Sequence, residues 1–256
     1  MSTLKQTKIN RLINNWPRGT VMMQSYLTSL GYDANLLRRY RESGWVRSFG
    51  TGVFALANDQ VDWQGGLFAL QHQLNLNVHV GGKTAIEQVG GAHYARFKNT
   101  VYLFAPPKTR LPKWFEQADW QSNVVFKNTA FLPYDLPATF TEVKHKSFSL
   151  RVAAMERAVL EMLYFVPDHQ GFDEAMKIMD NMLNLRPRLM QGLLENCHSV
   201  KVKRLCLYMA DKNQLPWTQN LDRERISLGK GKRVVSKNGI LDNRYLITVP
   251  KQNTYD

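Results

Sequence analysis

The sequence predicts an α+β protein, because the spacing of its apolar residues changes along the chain. In most segments of the first 90 residues apolar side chains recur every three or four positions, whereas strand-like runs dominate residues 92–148. The helical spacing returns after Phe148. We therefore expect a winged helix-turn-helix over residues 1–58, a mixed α/β region over 59–146, and a mainly helical C-terminal region with a few closing strands over 147–256.

The charge of the chain favours a polyanionic partner. Its 256 residues include 34 Lys and Arg against 21 Asp and Glu, which gives a formal net charge of +13 and a pI near 9.8. Such a surface attracts nucleic acid or an anionic membrane. No apolar run is long enough to span a membrane, and the N-terminus lacks the apolar core of a signal peptide. We expect a cytoplasmic protein without a membrane partner.

Two short helices are predicted between residues 20 and 43. Gly31 ends the first helix, and Asp33 is a suitable N-cap for the second. About three residues separate the two helices, as in the tight turn of a helix-turn-helix. The apolar positions of the first helix are Met22, Met23, Tyr26, Leu27 and Leu30, and those of the second are Leu36, Leu37 and Tyr40. A further helix over residues 4–16 completes a three-helix core.

A β-hairpin follows the two helices. Residues 45–49 and 53–56 read as extended strands, and Gly50-Thr51-Gly52 joins them in a turn. A hairpin directly after a helix-turn-helix is the arrangement of a winged helix, with the turn as the tip of the wing. Residues 20–56 therefore predict a DNA-binding domain.

The outward face of the second helix carries the candidate DNA contacts. With Leu36, Leu37 and Tyr40 facing inward, the residues that point most nearly outward are Asn35, Arg38 and Glu42, and Arg39 and Arg41 lie on the two flanks. Asn and Arg can pair with adenine and guanine edges in the major groove, and flanking arginines suit phosphates. A solvated helix face is the alternative, because arginines are common on exposed helices. The candidate DNA-binding residues are Asn35, Arg38, Arg39, Arg41, Arg47 and Thr51, the last two in the wing.

The middle region offers two weaker motifs. A helix over 62–74 and a strand over 77–80 precede Gly81-Gly82-Lys83-Thr84, which lacks the first glycine of a phosphate-binding loop and predicts a turn that opens a helix. Strands are expected over 93–97, 100–105, 124–132 and 140–145, with a short helix over 113–118. Glu142 and Lys144 have the E-x-K spacing of a metal-dependent nuclease, yet only Asp135 lies nearby as a further acid, which favours a solvated strand face.

The C-terminal region predicts a layer of helices. One long helix should run from Leu150 to Pro167 with Glu156 and Arg157 on its outer face unless they pair, followed by helices over 172–185, 188–196 and 200–209. A strand is expected over 244–249. The basic turn over residues 229–233 could bind phosphate or be an ordinary surface loop. Cys197 and Cys206 have neither redox nor zinc spacing and predict two buried free thiols.

Several long segments resemble the AbiEi family of antitoxins and transcriptional regulators of type IV toxin-antitoxin and abortive-infection systems. These segments are the N-terminal winged helix, VHVGGKTAIEQVGGAHY, MERAVLEMLYFVP, LRPRLMQGLLENCHSVKVKRLCLYMA and LGKGKR. The resemblance implies a phage-defence protein that represses its own operon by binding inverted repeats in double-stranded promoter DNA. It also implies an antitoxin that opposes a nucleotidyltransferase-like toxin without a stable complex.

The same resemblance places the DNA contacts at the residues already named on the second helix and in the wing. For antitoxin action it points to regions and to no individual residue. We expect a non-enzymatic protein without a cofactor or metal, and it is open whether two copies bind DNA as a dimer or cooperatively. One alternative is a nuclease or nucleotide-modifying enzyme, targeted by the winged helix, that uses Glu142 and Lys144 or the Gly81–Thr84 turn. Another is an adaptor whose winged helix binds protein.

Overall fold

The computed structural model describes residues 7–90 and 100–251. The predicted strand over 93–97 and the first residues of the predicted helix over 4–16 lie outside these ranges. The N-terminal elements are α1 (Lys8–Asn15), β1 (Val21–Met23), α2 (Gln24–Ser29), α3 (Ala34–Glu42), β2 (Val46–Gly50) and β3 (Val53–Leu56).

The strands and helices of the middle of the chain begin near Trp63. They are α4 (Trp63–His72), β4 (His79–Val80), α5 (Gly82–Gly90), β5 (Thr100–Ala105), α6 (Lys113–Glu116), β6 (Asn123–Asn128), β7 (Phe140–His145) and β8 (Phe148–Ala153). The remaining elements are α7 (Met155–Tyr164), α8 (Phe172–Asp180), α9 (Pro187–Glu195), α10 (Val200–Lys212), a 3₁₀ helix (Pro216–Asn220), β9 (Arg233–Val234), β10 (Ile240–Asp242) and β11 (Ile247–Val249).

The N-terminal part has a small core of its own under a three-stranded antiparallel sheet in the order β1-β3-β2. Leu12 from α1, Leu27 from α2 and Leu37 from α3 are buried in this core. The helices and the hairpin follow one another in the predicted order. Residues 21–23, however, form strand β1 and not the start of a helix, because the backbone of Met22 pairs with that of Phe54 in β3.

A mixed five-stranded sheet in the order β6-β5-β4-β8-β7 forms the centre of the molecule. Strand β4 runs parallel to β8 and antiparallel to β5, and β7 and β8 form an antiparallel hairpin. The prediction of one long helix from Leu150 was wrong over its first part. Phe148, Leu150 and Val152 alternate towards the core as β8, and the helix begins only at Met155. A domain boundary at residue 146 would separate the two paired strands.

Helices α7–α10 pack together as the predicted helical layer, and a second three-stranded sheet in the order β10-β11-β9 lies against α10. Cys197 and Cys206 are free and buried, as predicted. Burial raises the pKa of the Cys197 thiol to about 11. Over residues 7–90 and 100–251 no helix has the length and apolar character to cross a membrane.

Candidate nucleic-acid interface

Helix α3 is fixed from beneath and open on its outer side. The side chain of Asp33 caps its first turn by accepting a hydrogen bond from the amide of Leu36 at 2.8 Å. Leu37 is almost completely buried in the N-terminal core, and Leu36 and Tyr40 are half-buried beside it. The predicted inward stripe is therefore the stripe that the structure buries.

The four candidate residues on α3 all face solvent. Asn35, Arg38, Arg39 and Arg41 are exposed. The only ion pair of α3 within the described ranges joins Arg38 to Glu42 at 3.9 Å, and both side chains are more than 60% exposed. An exposed pair of this kind contributes little to stability, so Arg38 can leave Glu42 for another anion at small cost.

The wing residues differ in availability. Thr51 is exposed at the tip of the β2–β3 hairpin, next to Gly52, whose φ of +67° favours glycine. Arg47 is half-buried: its Nη2 donates to the carbonyl of Asp59 at 3.0 Å, and its guanidinium lies 5.6 Å from the ring centre of Phe49. Arg47 thus joins the hairpin to the segment that follows it, and it is the least available of the six candidates.

The hairpin packs on α6 and on Trp120 in the loop after it. The ring of Phe49 stacks on Trp120 with centroids 5.6 Å apart and meets Trp114 edge-on at 6.3 Å. A Cβ on Gly50 would lie only 2.9 Å from the Cβ of Trp114, so glycine permits this close contact. The hairpin is therefore supported by the central part of the chain.

This contact brings Lys113, a basic residue that was not among the predicted DNA contacts, close to the wing, because Lys113 directly precedes Trp114. Lys108, Arg110 and Lys113 are exposed on the segment between β5 and the buried Trp114. Three basic residues within six positions were visible in the sequence. The position of Lys113 near the wing was not, because it depends on the packing of Trp114 against Gly50.

Two further contacts fix the N-terminal part on α4. Gln73, directly after α4, accepts from the Met23 amide and donates to the Val21 carbonyl, both at 2.8 Å. Gly65 in α4 has no room for a side chain, since a Cβ would lie 1.8 Å from the carbonyl oxygen of Gly19. The orientation of the N-terminal elements relative to the central sheet is thus set by hydrogen bonds and close packing.

Asp62 strengthens the same junction by capping α4. Its carboxylate accepts from the Gly65 amide at 3.0 Å, from Lys146 at 2.8 Å and from His145 at 3.2 Å. Burial alone would raise the pKa of Asp62, but these hydrogen bonds and the lysine charge hold it well below its usual range. Asp62 therefore stays ionised and links α4 to the β7–β8 turn.

The Gly81–Thr84 turn opens α5, as predicted. The backbone amide of Gly82 in this turn is already hydrogen-bonded to a carboxylate of the protein. The amide of Gly82 donates to Glu161 at 3.2 Å, and this carboxylate also accepts from His79 and from Arg157, each at 2.8 Å. Burial disfavours its charge, yet the hydrogen bonds from His79 and Arg157 and the charge of Arg157 lower the pKa of Glu161. Lys83 forms an ion pair with Glu174. A nucleotide phosphate would have to displace Glu161 from this position.

Glu156 and Arg157 are buried and not on an outer face of α7. The sequence left this open if they paired, and both do form ion pairs. Arg157 is 1% exposed and bonds Glu161, while Glu156 accepts from the backbone and side chain of Arg186 at 2.8–3.0 Å. The pKa of Glu156 is lowered by these bonds against the opposing effect of burial.

The E-x-K residues lie on a solvated strand. Glu142 and Lys144 are exposed on β7, at the edge of the central sheet. In the part of the chain that the structure describes, no three His, Cys, Asp or Glu side chains are grouped closely enough to hold a metal ion. Among the described residues, Glu142 therefore belongs to no such metal-binding group.

Comparisons with known proteins assign the whole chain. A family model described as the AbiEi antitoxin N-terminal domain of a transcriptional regulator matches residues 5–97, and a second, described as a transcriptional regulator and AbiEi antitoxin of a type IV toxin-antitoxin system, matches residues 98–250. The chain belongs to the AbiEi antitoxin family. The resemblance found in the sequence is therefore confirmed, and the family is one of regulatory antitoxins.

The fold is shared with a solved structure. The crystal structure of the Rv2827c protein from Mycobacterium tuberculosis is similar to this chain with a TM-score of 0.60 and 15% sequence identity, over 93% of this chain and 88% of that one. At this identity the likeness concerns the fold alone. No curated protein sequence matches the chain.

Proposed function

We propose that the N-terminal elements of this AbiEi protein form a winged helix that binds inverted repeats in the promoter of its own operon and represses it. The observation that carries the proposal is the exposed outer face of α3, where Asn35, Arg38, Arg39 and Arg41 are free of buried partners. Helix α3 would be the recognition helix, α2 the helix that precedes it across the turn at Gly31, and the β2–β3 hairpin the wing.

The chemistry of the face supports a division of roles. Asn35 and Arg38 lie on the outermost line of α3 and suit base edges, whereas Arg39 and Arg41 on the flanks suit phosphates. Thr51 would contact the backbone from the wing tip, and the exposed Lys113 beside the wing extends the basic surface. Arg47 supports the hairpin through Asp59 and contributes to DNA binding mainly through that support.

The proposed function is tested by fluorescence anisotropy, which measures the binding of the full-length chain to its promoter duplex and to an unrelated duplex over a range of salt concentrations. Arg38→Ala should weaken promoter binding by about 1–3 kcal/mol, which is roughly 5- to 150-fold in Kd, and leave the unrelated duplex nearly unaffected. Arg39→Ala should weaken both duplexes and reduce the salt slope by about one.

Arg188→Ala is the matched control, because Arg188 is an exposed arginine that lies on α9 and not on α3. It should bind both duplexes like the wild type. Equal losses on promoter and unrelated DNA for Arg38→Ala would exclude base reading by α3. An unchanged affinity in all three variants would exclude α3 as the DNA-binding element.

We further propose that the central and C-terminal parts act as the antitoxin against a nucleotidyltransferase-like toxin, without a stable complex between the two proteins. The family assignment over residues 98–250 supports this proposal. Because Arg38 is exposed and distant in sequence from that part, full-length Arg38→Ala should lose repression of a promoter reporter and still rescue growth when the toxin is co-expressed. Loss of both activities in a folded variant would contradict separate roles. Sedimentation of the protein on promoter DNA would show whether two copies bind together.

A further inference from the structure

A buried cation organises the basic turn near the C-terminus. Arg204 on α10 is 1% exposed, and its guanidinium donates to four carbonyl oxygens, those of Leu228 at 2.9 Å, Gly229 at 3.0 Å, Gly231 at 2.5 Å and Leu246 at 3.0 Å. No carboxylate forms an ion pair with Arg204 within residues 7–90 and 100–251. Because arginine remains protonated in proteins, this is a buried positive charge balanced only by peptide dipoles.

The orientation of these carbonyls decides where the neighbouring amides point. A trans peptide unit is planar, and its N–H is directed opposite to its C=O. Since the carbonyls of Leu228, Gly229 and Gly231 face Arg204, the N–H groups of Gly229, Lys230 and Lys232 face away from it. Residues 229–232 are exposed, and no hydrogen bond from their amides is found within the described part of the chain.

The backbone of the turn is suited to this arrangement. Gly229 and Gly231 have φ values of +61° and +75°, the left-handed region that glycine adopts without strain. Alternation of left-handed and ordinary residues directs successive amides to one side and forms an anion-binding concavity. Arg204 thus holds in place a loop whose outer side presents amide donors.

Side-chain charge adds to the amides. Lys230 and Lys232 are exposed, and Arg233 lies across the loop, donating to the carbonyls of Lys230 at 3.3 Å and Lys232 at 3.0 Å. None of these three cations forms an ion pair in the described ranges. Two exposed lysines, a guanidinium and three amides that point away from Arg204 thus belong to one short loop, which contains no acidic residue within 228–233.

We propose that residues 228–233 bind a phosphate group of a nucleic acid or nucleotide, in addition to the contacts proposed for α3. A phosphate presents several oxygens in different directions and can accept from amides and ammonium groups together. The loop shares no residue with the α3 face, so the two sites can be tested independently.

The test is titration of the full-length, ¹⁵N-labelled protein with inorganic phosphate, compared with sodium chloride at equal ionic strength, while amide signals are followed by NMR. The signals of Gly229, Lys230 and Lys232 should shift and saturate with phosphate and not with chloride. Lys230→Ala/Lys232→Ala should weaken phosphate binding about tenfold or more. Lys177→Ala/Lys237→Ala removes two exposed lysines elsewhere and should titrate like the wild type.

The source of the phosphate is identified by competition. Displacement of phosphate by an unrelated DNA duplex but not by a nucleoside triphosphate indicates a nucleic-acid backbone, and the reverse indicates a nucleotide; both results support the site. Equal shifts with phosphate and chloride, or equal affinities in the two double variants, would overturn the proposal. The loop variant should retain the promoter preference of the wild type, so a failure here is distinguishable from a failure of the α3 interface.

Discussion

Replacement of Glu161 by Gln should destabilise the protein severely, although it changes no atom exposed to solvent. Glu161 belongs to α7, and its side chain contacts the first residue of α5. Both Glu161 and His79 of β4 are completely buried. The Oε1 atom of Glu161 accepts from both His79 and Arg157, and its Oε2 accepts from the Gly82 amide. One carboxylate thus joins the central sheet to two helices.

The expected loss follows from these three contacts. A Gln side chain has one acceptor oxygen, so its NH₂ must face either the Gly82 amide or the pair of donors from His79 and Arg157, and at least one buried donor loses its acceptor. The change also leaves the guanidinium of Arg157 as a buried charge without a counterion. Removing one partner of a buried ion pair costs about 3–5 kcal/mol.

This cost should appear as a decrease of that size in the free energy of unfolding measured by urea denaturation, and as a decrease in Tm of about 6–20 °C. Glu142→Gln is the matched control, since Glu142 is exposed on β7, and it should change stability by no more than about 0.5 kcal/mol. A loss below about 1 kcal/mol for Glu161→Gln would refute the argument that the carboxylate is the required counterion of Arg157.

Three further predictions concern pH, packing and thiol reactivity. Burial lowers the pKa of His79, so the unfolded chain binds a proton at this side chain below pH ~6.5 and the folded protein does not. The free energy of unfolding should therefore fall as the pH drops from 7.5 to 5.5, by at most about 1.4 kcal/mol per pH unit, and it should fall less in His79→Gln. The same pH dependence of the urea-measured free energy in both proteins would contradict the assignment to His79. Gly50→Ala places a Cβ against the tryptophan of α6 and should lower the free energy of unfolding by about 1–3 kcal/mol, while Thr51→Ala at the exposed tip should not; equal urea midpoints would contradict the close contact. Cys197 and Cys206 should react with a maleimide only after denaturation, because both are buried and burial raises the pKa of each thiol, and rapid labelling of the native protein would contradict their burial.

Much of the fold could be predicted because long elements have a clear period. The bounds of β5 and β7 agree with the sequence prediction, and α3 begins directly after the predicted cap at Asp33. The errors lie in strands whose partners come from elsewhere in the chain. Three residues of β1 are too few to show a period, and the apolar residues of β8 run into those of α7, so that they fitted one continuous helix.

The candidate interface could be predicted in part for the same reason. Helical periodicity decides which residues of α3 face outward, and Asn35 and Arg38 are exposed as the period requires. It does not decide what a strand residue contacts. Arg47 turns to the carbonyl of Asp59 and the ring of Phe49, and Lys113 comes near the wing through the packing of its neighbour Trp114; both depend on contacts between distant elements.

The distribution of partners also changes what the net charge of +13 means. Arg157 and Arg204 are buried and hydrogen-bonded inside the protein, and Arg186 is bound to Glu156, so these cations contribute to the fold. The arginines of α3 have no such role. If every cation acted only by attracting nucleic acid, removal of any one of them would weaken nucleic-acid binding by a similar small amount. Here some cations hold buried carboxylates or carbonyls, whereas others, including those of α3, Lys113 and the 228–233 loop, are exposed. We expect the exposed group to set the strength and salt dependence of the proposed nucleic-acid binding.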